Sequence, residues 1–216
     1  MALHVAELWR YPVKSMGGEP LQHAQVGADG IHGDRLVQVH DARGLVTART
    51  RPGLLGLRAT LGPDDGALVG GRPWDEAGVD RDVKAAAGPT AALVERTSPQ
   101  ERFDILPLLV ATDGAIAAFG QDGRRLRPNL VIGGVAGLAE RAWEGKVLIV
   151  GDLVVLLHSL RGRCIVTTYD PDTLSQDVDV LRDIRRRFDG TLALNSAVLR
   201  PGRISVGDPA EVVDAR

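Results

Sequence analysis

A single cysteine carries the strongest chemical signal in this sequence. Cys164 lies between the cations Arg161 and Arg163 on one side and the hydroxyl residues Thr167 and Thr168 on the other. Positive charge beside a sulfur favours the thiolate, the form that attacks electrophiles and binds soft metals. A cysteine that begins an apolar segment is also a common small core residue. The residues alone therefore leave two interpretations open, a working thiol and a buried filler.

Three further groups of polar residues follow or precede apolar segments. Lys14 and Ser15 come shortly before two glycines, an arrangement that lets a phosphate or carboxylate approach the backbone, although the spacing is not that of a Walker P-loop. Arg35 follows Gly33-Asp34, and Asn129 follows a run of arginines. Each group alone is more typical of a turn with an exposed cation. The histidines show no HxxxH or HxH spacing, which gives no support to a zinc hydrolase.

Short apolar segments, separated by 26 glycines and 12 prolines, must position these residues. This pattern favours strands over long helices, and Asp41-Ala42-Arg43-Gly44 and Pro63-Asp64-Asp65-Gly66 are predicted hairpin turns. We expect a mainly β fold of the α+β class, with barrel architecture and few helices. Strands are predicted at 4–10, 36–40, 45–48, 58–61, 67–70, 92–96, 108–111, 130–132, 153–157, 165–168, 192–199 and 211–213. Short helices are predicted from Thr112 or Asp113 to Phe119, after Asp177 to Phe188, and around Lys84 to Ala87.

Composition narrows the possible classes of protein. The chain has 216 residues, 44% of them hydrophobic, and a formal net charge of -2, which excludes general disorder and gives no global reason to bind nucleic acid. One cysteine cannot form an internal disulfide, a four-thiolate zinc site or a thiolate-ligated iron–sulfur cluster. We find no signal peptide and no apolar stretch of membrane-spanning length, so we expect a cytoplasmic protein with no membrane partner.

Taken together and in order, these groups resemble the MOSC proteins, and specifically the subgroup with an N-terminal β-barrel domain that includes the amidoxime-reducing proteins. The resemblance spans residues 8 to 208, nearly the whole chain. It is carried by Leu8-Trp9-Arg10-Tyr11-Pro12-Val13-Lys14-Ser15, Gly33-Asp34-Arg35, Val46-Thr47-Ala48-Arg49, Arg127-Pro128-Asn129, Arg163-Cys164 with Thr167-Thr168-Tyr169-Asp170-Pro171, and Gly202-Arg203-Ile204-Ser205-Val206-Gly207-Asp208.

The resemblance implies a MOSC-type β-barrel with an N-terminal β-barrel-like domain, which we place at residues 1–98 and 99–216. It also implies a molybdenum cofactor, the metal held by a molybdopterin, with Cys164 as the thiolate ligand of molybdenum and the catalytic residue. A cofactor phosphate needs cations and hydrogen-bond donors. By the family pattern the cofactor contacts are Lys14, Ser15, Arg35, Thr112, Asp113, Arg127, Asn129, Arg163, Thr167 and Asp170.

The function that the resemblance implies is reduction of small N-hydroxylated or N-oxygenated compounds. Because the chain has no spare cysteine for an iron–sulfur cluster, we expect electrons from a separate flavin, haem or iron–sulfur protein. One alternative is a carrier of the molybdenum cofactor or a sulfur-transfer protein that uses Cys164. Another is a binding protein that has lost the cofactor.

Overall fold

A computed structural model describes residues 2–95 and 102–215. These residues form short strands and three α-helices, with helices at Ala77–Ala87 (α1), Asp113–Phe119 (α2) and Asp179–Phe188 (α3). The strands are His4–Arg10 (β1), Glu19–Leu21 (β2), His23–Gly27 (β3), Gly30–Ile31 (β4), Val37–Asp41 (β5), Gly44–Val46 (β6), Ala59–Leu61 (β7), Ala67–Val69 (β8), Arg72–Pro73 (β9), Ala92–Glu95 (β10), Leu108–Thr112 (β11), Leu130–Gly133 (β12), Val147–Val150 (β13), Leu153–Gly162 (β14), Thr191–Arg200 (β15), Gly202–Ser205 (β16) and Glu211–Val213 (β17).

The largest sheet has eight strands in the order β17-β13-β14-β15-β11-β12-β1-β2. Its pairings are antiparallel except for β11 with β12, which run parallel and are connected through α2. Strands β1 and β2, from the beginning of the chain, thus extend a sheet built mostly from its second half. Three-stranded sheets β10-β5-β6, β16-β3-β4 and β7-β8-β9 complete the described strands.

The expected mainly β fold with few helices is confirmed, but the expected barrel is not closed over the described residues. The edge strands β2 and β17 do not pair with each other, so the hydrogen-bonded ladder stays open. The predicted division between residues 98 and 99 falls at residues 96–101, which lie outside the described residues. Among the helices that the structure describes, none is both long and apolar enough to span a membrane.

Buried apolar side chains form three clusters. The first lies against the large sheet and contains fully buried Leu130, Leu157 and Leu194. The second joins α1 to the small sheets of the N-terminal half, with Val39, Val69 and Val83 among its members. The third packs α2 against α3. Burial of each large apolar side chain contributes roughly 1.5–3 kcal/mol to the stability of the fold. The clusters therefore hold the strands in place, and with them the loops at the strand ends.

Local sequence explains where the strand prediction holds and where it is wrong. The two predicted hairpins form, as β5–β6 and β7–β8. The predicted strand at 165–168 is instead a 3-10 turn, Ile165–Thr168. Threonine hydroxyls bond the backbone there, since Thr167 Oγ1 donates to the Cys164 carbonyl at 2.8 Å and Thr168 Oγ1 donates to the Ile165 carbonyl at 2.6 Å. Such local bonds compete with strand pairing.

Candidate functional site

One pocket brings together seven of the predicted site residues. Their loops come from distant parts of the chain: one follows β1, one precedes β5, one precedes β12, and one follows β14. Because the strands meet in packed sheets, their terminal loops converge on one side of the molecule. The predicted residues in the lining of this pocket, here called the cation pocket, are Lys14, Ser15, Arg35, Arg127, Asn129, Arg163 and Cys164.

Cys164 is a free, partly exposed thiol in the lining of the cation pocket. Strand β14 ends two residues earlier, and the Arg163 amide donates to the Gly190 carbonyl at 2.8 Å. The 3-10 turn then begins immediately, and the Cys164 carbonyl also accepts the Thr167 amide at 3.1 Å. These backbone bonds hold Cys164 at a defined position between a strand and a turn. A fixed, accessible sulfur suits it to hold a metal or to attack an electrophile.

Positive charge dominates the cation pocket. Its described lining holds six cations and one carboxylate, that of Asp104. Burial opposes ionisation of Asp104, yet its bond to Lys14 and the charges of Arg49 and Arg161 lower the pKa of this carboxyl below its usual value. The six cations are Lys14, Arg35, Arg49, Arg127, Arg161 and Arg163. Such an excess favours an anionic ligand, although the chain as a whole is almost neutral.

A buried carboxylate beside the pocket fixes two of the predicted residues. Asp34 is fully buried; it accepts the Tyr11 amide at 2.7 Å and the Asn129 side-chain amide at 3.3 Å, and it also pairs with the Arg35 guanidinium. Asn129 in turn accepts the Leu109 amide at 3.1 Å. A buried carboxylate with several partners holds its neighbours in one geometry. The network therefore positions Arg35 and joins the loop after β1 to the loop before β12.

Two arginines in the pocket lack carboxylate partners among the described residues. The Arg127 guanidinium lies 4.3 Å from the centroid of the Tyr11 ring. Removal from water, with repulsion from Arg35, lowers the pKa of Arg127. Burial and the charge of Arg161 lower the pKa of Arg163 to about 10, and the Nε of Arg163 is buried without a hydrogen-bond partner among the described residues. Depressed guanidinium pKa values mean that an added negative charge would stabilise this cluster.

Three lining residues have the left-handed backbone conformation that favours glycine. Ser15 has a φ of 73°, Arg35 of 53° and Arg127 of 56°. For a residue with a side chain this conformation costs roughly 1–2 kcal/mol, and such positions concentrate at functional sites. Four further non-glycine residues share it in the part of the chain that the structure describes. The fold thus accepts backbone strain to place three polar side chains around one pocket.

Thr112 and Asp113, also predicted to contact a cofactor, do not line this pocket. Thr112 is the N-cap of α2, where its hydroxyl accepts the Ala115 amide at 3.1 Å, and it donates to Glu140 at 3.3 Å. The Asp113 carboxylate accepts the Gly134 amide at 2.7 Å. Both side chains instead hold the beginning of α2 against neighbouring loops.

Thr167 and Asp170 also lie outside the described lining. Thr167 is fully buried, and its hydroxyl donates to the Cys164 carbonyl. Asp170 accepts the Thr173 amide at 2.9 Å and pairs with Arg125 at 3.1 Å, which closes the turn after the 3-10 segment. Both residues therefore support the loop that carries Cys164.

The pocket also contains residues that the sequence reasoning did not select. Asp104 and Phe103 line it from the segment before β11, and Asn195 lines it from the middle of β15. Asn195 accepts a hydrogen bond from Arg161 at 3.2 Å. A polar residue inside an apolar strand was the available signal for Asn195. Asp104 gave no comparable signal, since a carboxylate next to apolar residues in a loop is common.

Comparison with known proteins connects this geometry to a family. A model of the MOSC N-terminal beta barrel domain matches residues 2–102, and a model of the MOSC domain matches residues 115–211. The chain belongs to the MOSC proteins. The cation pocket of this MOSC chain takes residues from both matched ranges, for example Lys14 from the first and Cys164 from the second.

Relatives and solved structures agree with this assignment. Human mitochondrial amidoxime-reducing component 1 is 25% identical, over 95% of this MOSC chain and 81% of the relative. Human mitochondrial amidoxime reducing component 2 is 26% identical, over 95% and 82%. The crystal structure of the YUAD protein from Bacillus subtilis, at 14% identity, covers 100% of this chain and 98% of its own with a TM-score of 0.50, which supports the fold alone.

Proposed function

We propose that this MOSC protein is a molybdenum-cofactor-dependent oxidoreductase that reduces N-hydroxylated or N-oxygenated small molecules. The observation that carries the proposal is the convergence of the Cys164 thiol with six predicted cationic or polar cofactor contacts around one pocket. The relatives named amidoxime-reducing components support the class of reaction.

The residues of the cation pocket fit such a cofactor chemically. A molybdopterin offers a phosphate anion and a metal bound by soft sulfur ligands. The pocket offers six cations for the anion and one thiol for the metal. Its Arg163 Nε is a buried donor without a partner among the described residues, and buried donors of this kind are expected to meet a ligand or water. The cations and the thiol of the pocket therefore match the phosphate and the metal of the cofactor.

Each residue of the pocket has a separate task in this proposal. The Cys164 thiolate would hold the metal, because a soft thiolate is the ligand type that suits it. Lys14, Arg35, Arg127 and Arg163 would hold the phosphate, with arginine forks able to bind two oxygens at once. Ser15 accepts the Ala48 amide at 3.0 Å, which leaves its hydroxyl proton available to the anion.

The bound cofactor would supply two-electron chemistry at molybdenum for removal of oxygen from nitrogen. The protein would keep the reacting group near the partly exposed Cys164, at the boundary between pocket and solvent. Electrons would come from a separate redox protein, as a flavin, haem or iron–sulfur donor.

The decisive experiment measures metal and activity together. We would produce the full chain in a host that makes the molybdenum cofactor, measure molybdenum by mass spectrometry, and assay reduction of an aryl amidoxime with reduced methyl viologen as electron donor. We expect near-stoichiometric molybdenum and N-reduction. Protein without molybdenum, and without pterin fluorescence after denaturation, would refute the proposal.

Variants separate the role of Cys164 from a general effect on the loop. Cys164→Ser should abolish N-reduction, because a hydroxyl is a poor ligand for a soft metal. Ile165→Ala is the matched control, since its side chain is 38% exposed and lies outside the described lining of the pocket. It should retain activity. Stoichiometric molybdenum without reductase activity would instead favour the cofactor-carrier or sulfur-transfer function.

A further inference from the structure

Asp104 binds three cations of the pocket at once. Its Oδ1 lies 2.8 Å from Lys14 Nζ, and its Oδ2 lies 2.9 Å from Arg49 Nη2 and 3.3 Å from Arg161 Nη2. The three cations come from the loop after β1, the segment after β6 and the end of β14. This carboxylate thus makes charge-assisted hydrogen bonds of the kind that a bound anion would make.

Apart from Arg35, which pairs with Asp34, the cations of the pocket fall into two groups according to their carboxylate partners. Lys14, Arg49 and Arg161 are neutralised in part by Asp104, whereas Arg127 and Arg163 have no carboxylate partner among the described residues. An anion that binds only Arg127 and Arg163 contacts two guanidinium groups and leaves Asp104 in place. An anion that also reaches Lys14 must compete with Asp104 for it.

We propose that Asp104 is a specificity-determining residue, an internal anion that a multiply charged ligand displaces when it reaches Lys14, whereas a singly charged ligand can bind without displacing it. This inference rests on the proposed function, because it concerns the same anion site. A singly charged ligand can bind Arg127 and Arg163 and leave Asp104 in place, because Asp104 contacts neither arginine. A ligand with several negative charges and oxygens gains more from five cations than Asp104 does from three.

Displacement needs only a small movement. Asp104 lies in a bend, outside the helices and strands, and its side chain is 35% exposed. Rotation about its side-chain bonds would move the carboxylate toward solvent while the backbone stays in place. Two of the three cations keep another partner, since Lys14 Nζ also donates to the Arg102 carbonyl and Arg161 to Asn195.

The alternative role is a brace that holds the three cations in position for the ligand. The two roles predict opposite effects when the charge of Asp104 is removed. A displaced anion weakens ligand binding, so its removal tightens binding. A brace organises the site, so its removal loosens binding.

The test uses pyrophosphate as a multiply charged probe and acetate as a singly charged one. We would measure the affinity of each by calorimetry at low salt, with the full chain made in a host that lacks the molybdenum cofactor. Asp104→Asn keeps the size of the side chain and removes its charge. Asp172→Asn is the matched control, because it removes the same charge from an exposed pair with Arg124 that lies outside the described lining of this pocket.

We expect Asp104→Asn to bind pyrophosphate about tenfold more tightly than wild type, as close charge pairs at interfaces couple by more than 1 kcal/mol. Acetate can bind Arg127 and Arg163 without displacing Asp104, so its affinity should change much less and the preference for pyrophosphate should widen. Asp172→Asn should match wild type. Equal or weaker pyrophosphate binding by Asp104→Asn, or no binding by either protein, would overturn the proposal. If that variant does not fold, Asp104→Ser gives the same comparison.

The outcome is separable from that of the proposed function. The pyrophosphate measurement needs neither molybdenum nor turnover. A chain that never contains molybdenum would refute the oxidoreductase while leaving the role of Asp104 measurable. An active molybdenum enzyme with unchanged anion affinity in Asp104→Asn would refute only the role of Asp104.

Discussion

The guanidinium of Arg127 lies over the ring of Tyr11, with its Cζ 4.3 Å from the ring centroid. Tyr11 is almost fully buried, and its hydroxyl donates to the Pro128 carbonyl at 3.2 Å. Burial raises the pKa of Tyr11 to about 12, so the hydroxyl remains a donor at neutral pH. A ring from the end of β1 thus holds both an arginine of the pocket and the backbone next to it.

Tyr11→Phe and Tyr11→Leu separate these two contacts. Tyr11→Phe keeps the ring under Arg127 and loses one hydrogen bond, so we expect a loss of about 1 kcal/mol in unfolding free energy and normal molybdenum content. Tyr11→Leu also removes the cation–π contact, worth about 0.5–2 kcal/mol, and should lower molybdenum content as well. Urea unfolding and metal analysis check both. Equal molybdenum content in the two variants would contradict a positioning role for the ring.

Substitutions of Arg127 test whether its left-handed backbone conformation lowers the stability of the folded protein. Because Arg127 has a φ of 56°, glycine suits the position better than alanine does. We expect Arg127→Gly to be about 1 kcal/mol more stable than Arg127→Ala. Both variants should bind pyrophosphate more weakly than wild type, because both lose the same cation. Identical stabilities would show that the left-handed conformation costs nothing at this position.

Asp34 is expected to be essential for folding stability. Its removal leaves Arg35 without its carboxylate and leaves the Tyr11 amide and the Asn129 side chain without an acceptor. Asp34→Ala should therefore lose about 3–5 kcal/mol of unfolding free energy. Asp214→Ala is the control, since its side chain is 87% exposed and its pair with Lys146 is worth about 1 kcal/mol or less. Similar losses in both variants would argue against the buried network.

Glu140 gives a prediction that depends on pH. Burial raises the pKa of Glu140, opposed by hydrogen bonds that include one from Thr112, and its Oε1 has no partner among the described residues. A carboxyl whose pKa is higher in the folded state than in the unfolded state does not destabilise the folded state while pH is below the unfolded-state pKa. The folded state then loses stability as pH rises from the unfolded-state pKa to the folded-state pKa. Glu140→Gln should therefore be more stable than wild type at pH 7.

Urea unfolding at two pH values checks the sign of this effect. The advantage of Glu140→Gln should disappear at a pH below the ordinary glutamate pKa of about 4.3, where both proteins carry a neutral side chain. An advantage that is the same at both pH values would point to packing instead of charge.

Seven of the residues that were selected by residue type and motif order line one pocket. Taken one at a time, Lys14 and Arg127 are typical of exposed cations in turns, and Cys164 is typical of a small core residue. Only their combination in one family pattern indicated a shared pocket. The strands that carry them were predictable because apolar segments end at glycine, proline or charged residues. Either Thr112 or Asp113 was predicted to cap the helix that follows β11, and Thr112 is the N-cap.

Interactions between distant residues were not predictable from the sequence. The role of Asp104 depends on three cations that approach it from other loops, and nothing in its neighbouring residues indicates them. Asp170 lies in a motif that suggested a ligand contact, yet it closes a local turn with Thr173. The turn at Ile165–Thr168 was predicted as a strand because its apolar and β-branched residues fit both structures.

The pairing of β1 with β12, and of β3 with β16, has a consequence for biosynthesis. The ribosome makes β1 and β3 first, but their partner strands emerge only in the second half of translation. In the first half of the chain β1 pairs with β2 and β3 pairs with β4, so one edge of each of these strands stays unpaired until its late partner emerges. Unpaired edges are prone to aggregation, and long-range pairing of this kind folds slowly. Folding of the large sheet is thus largely a post-translational event, and yield should depend on chaperones and on slow translation at low temperature.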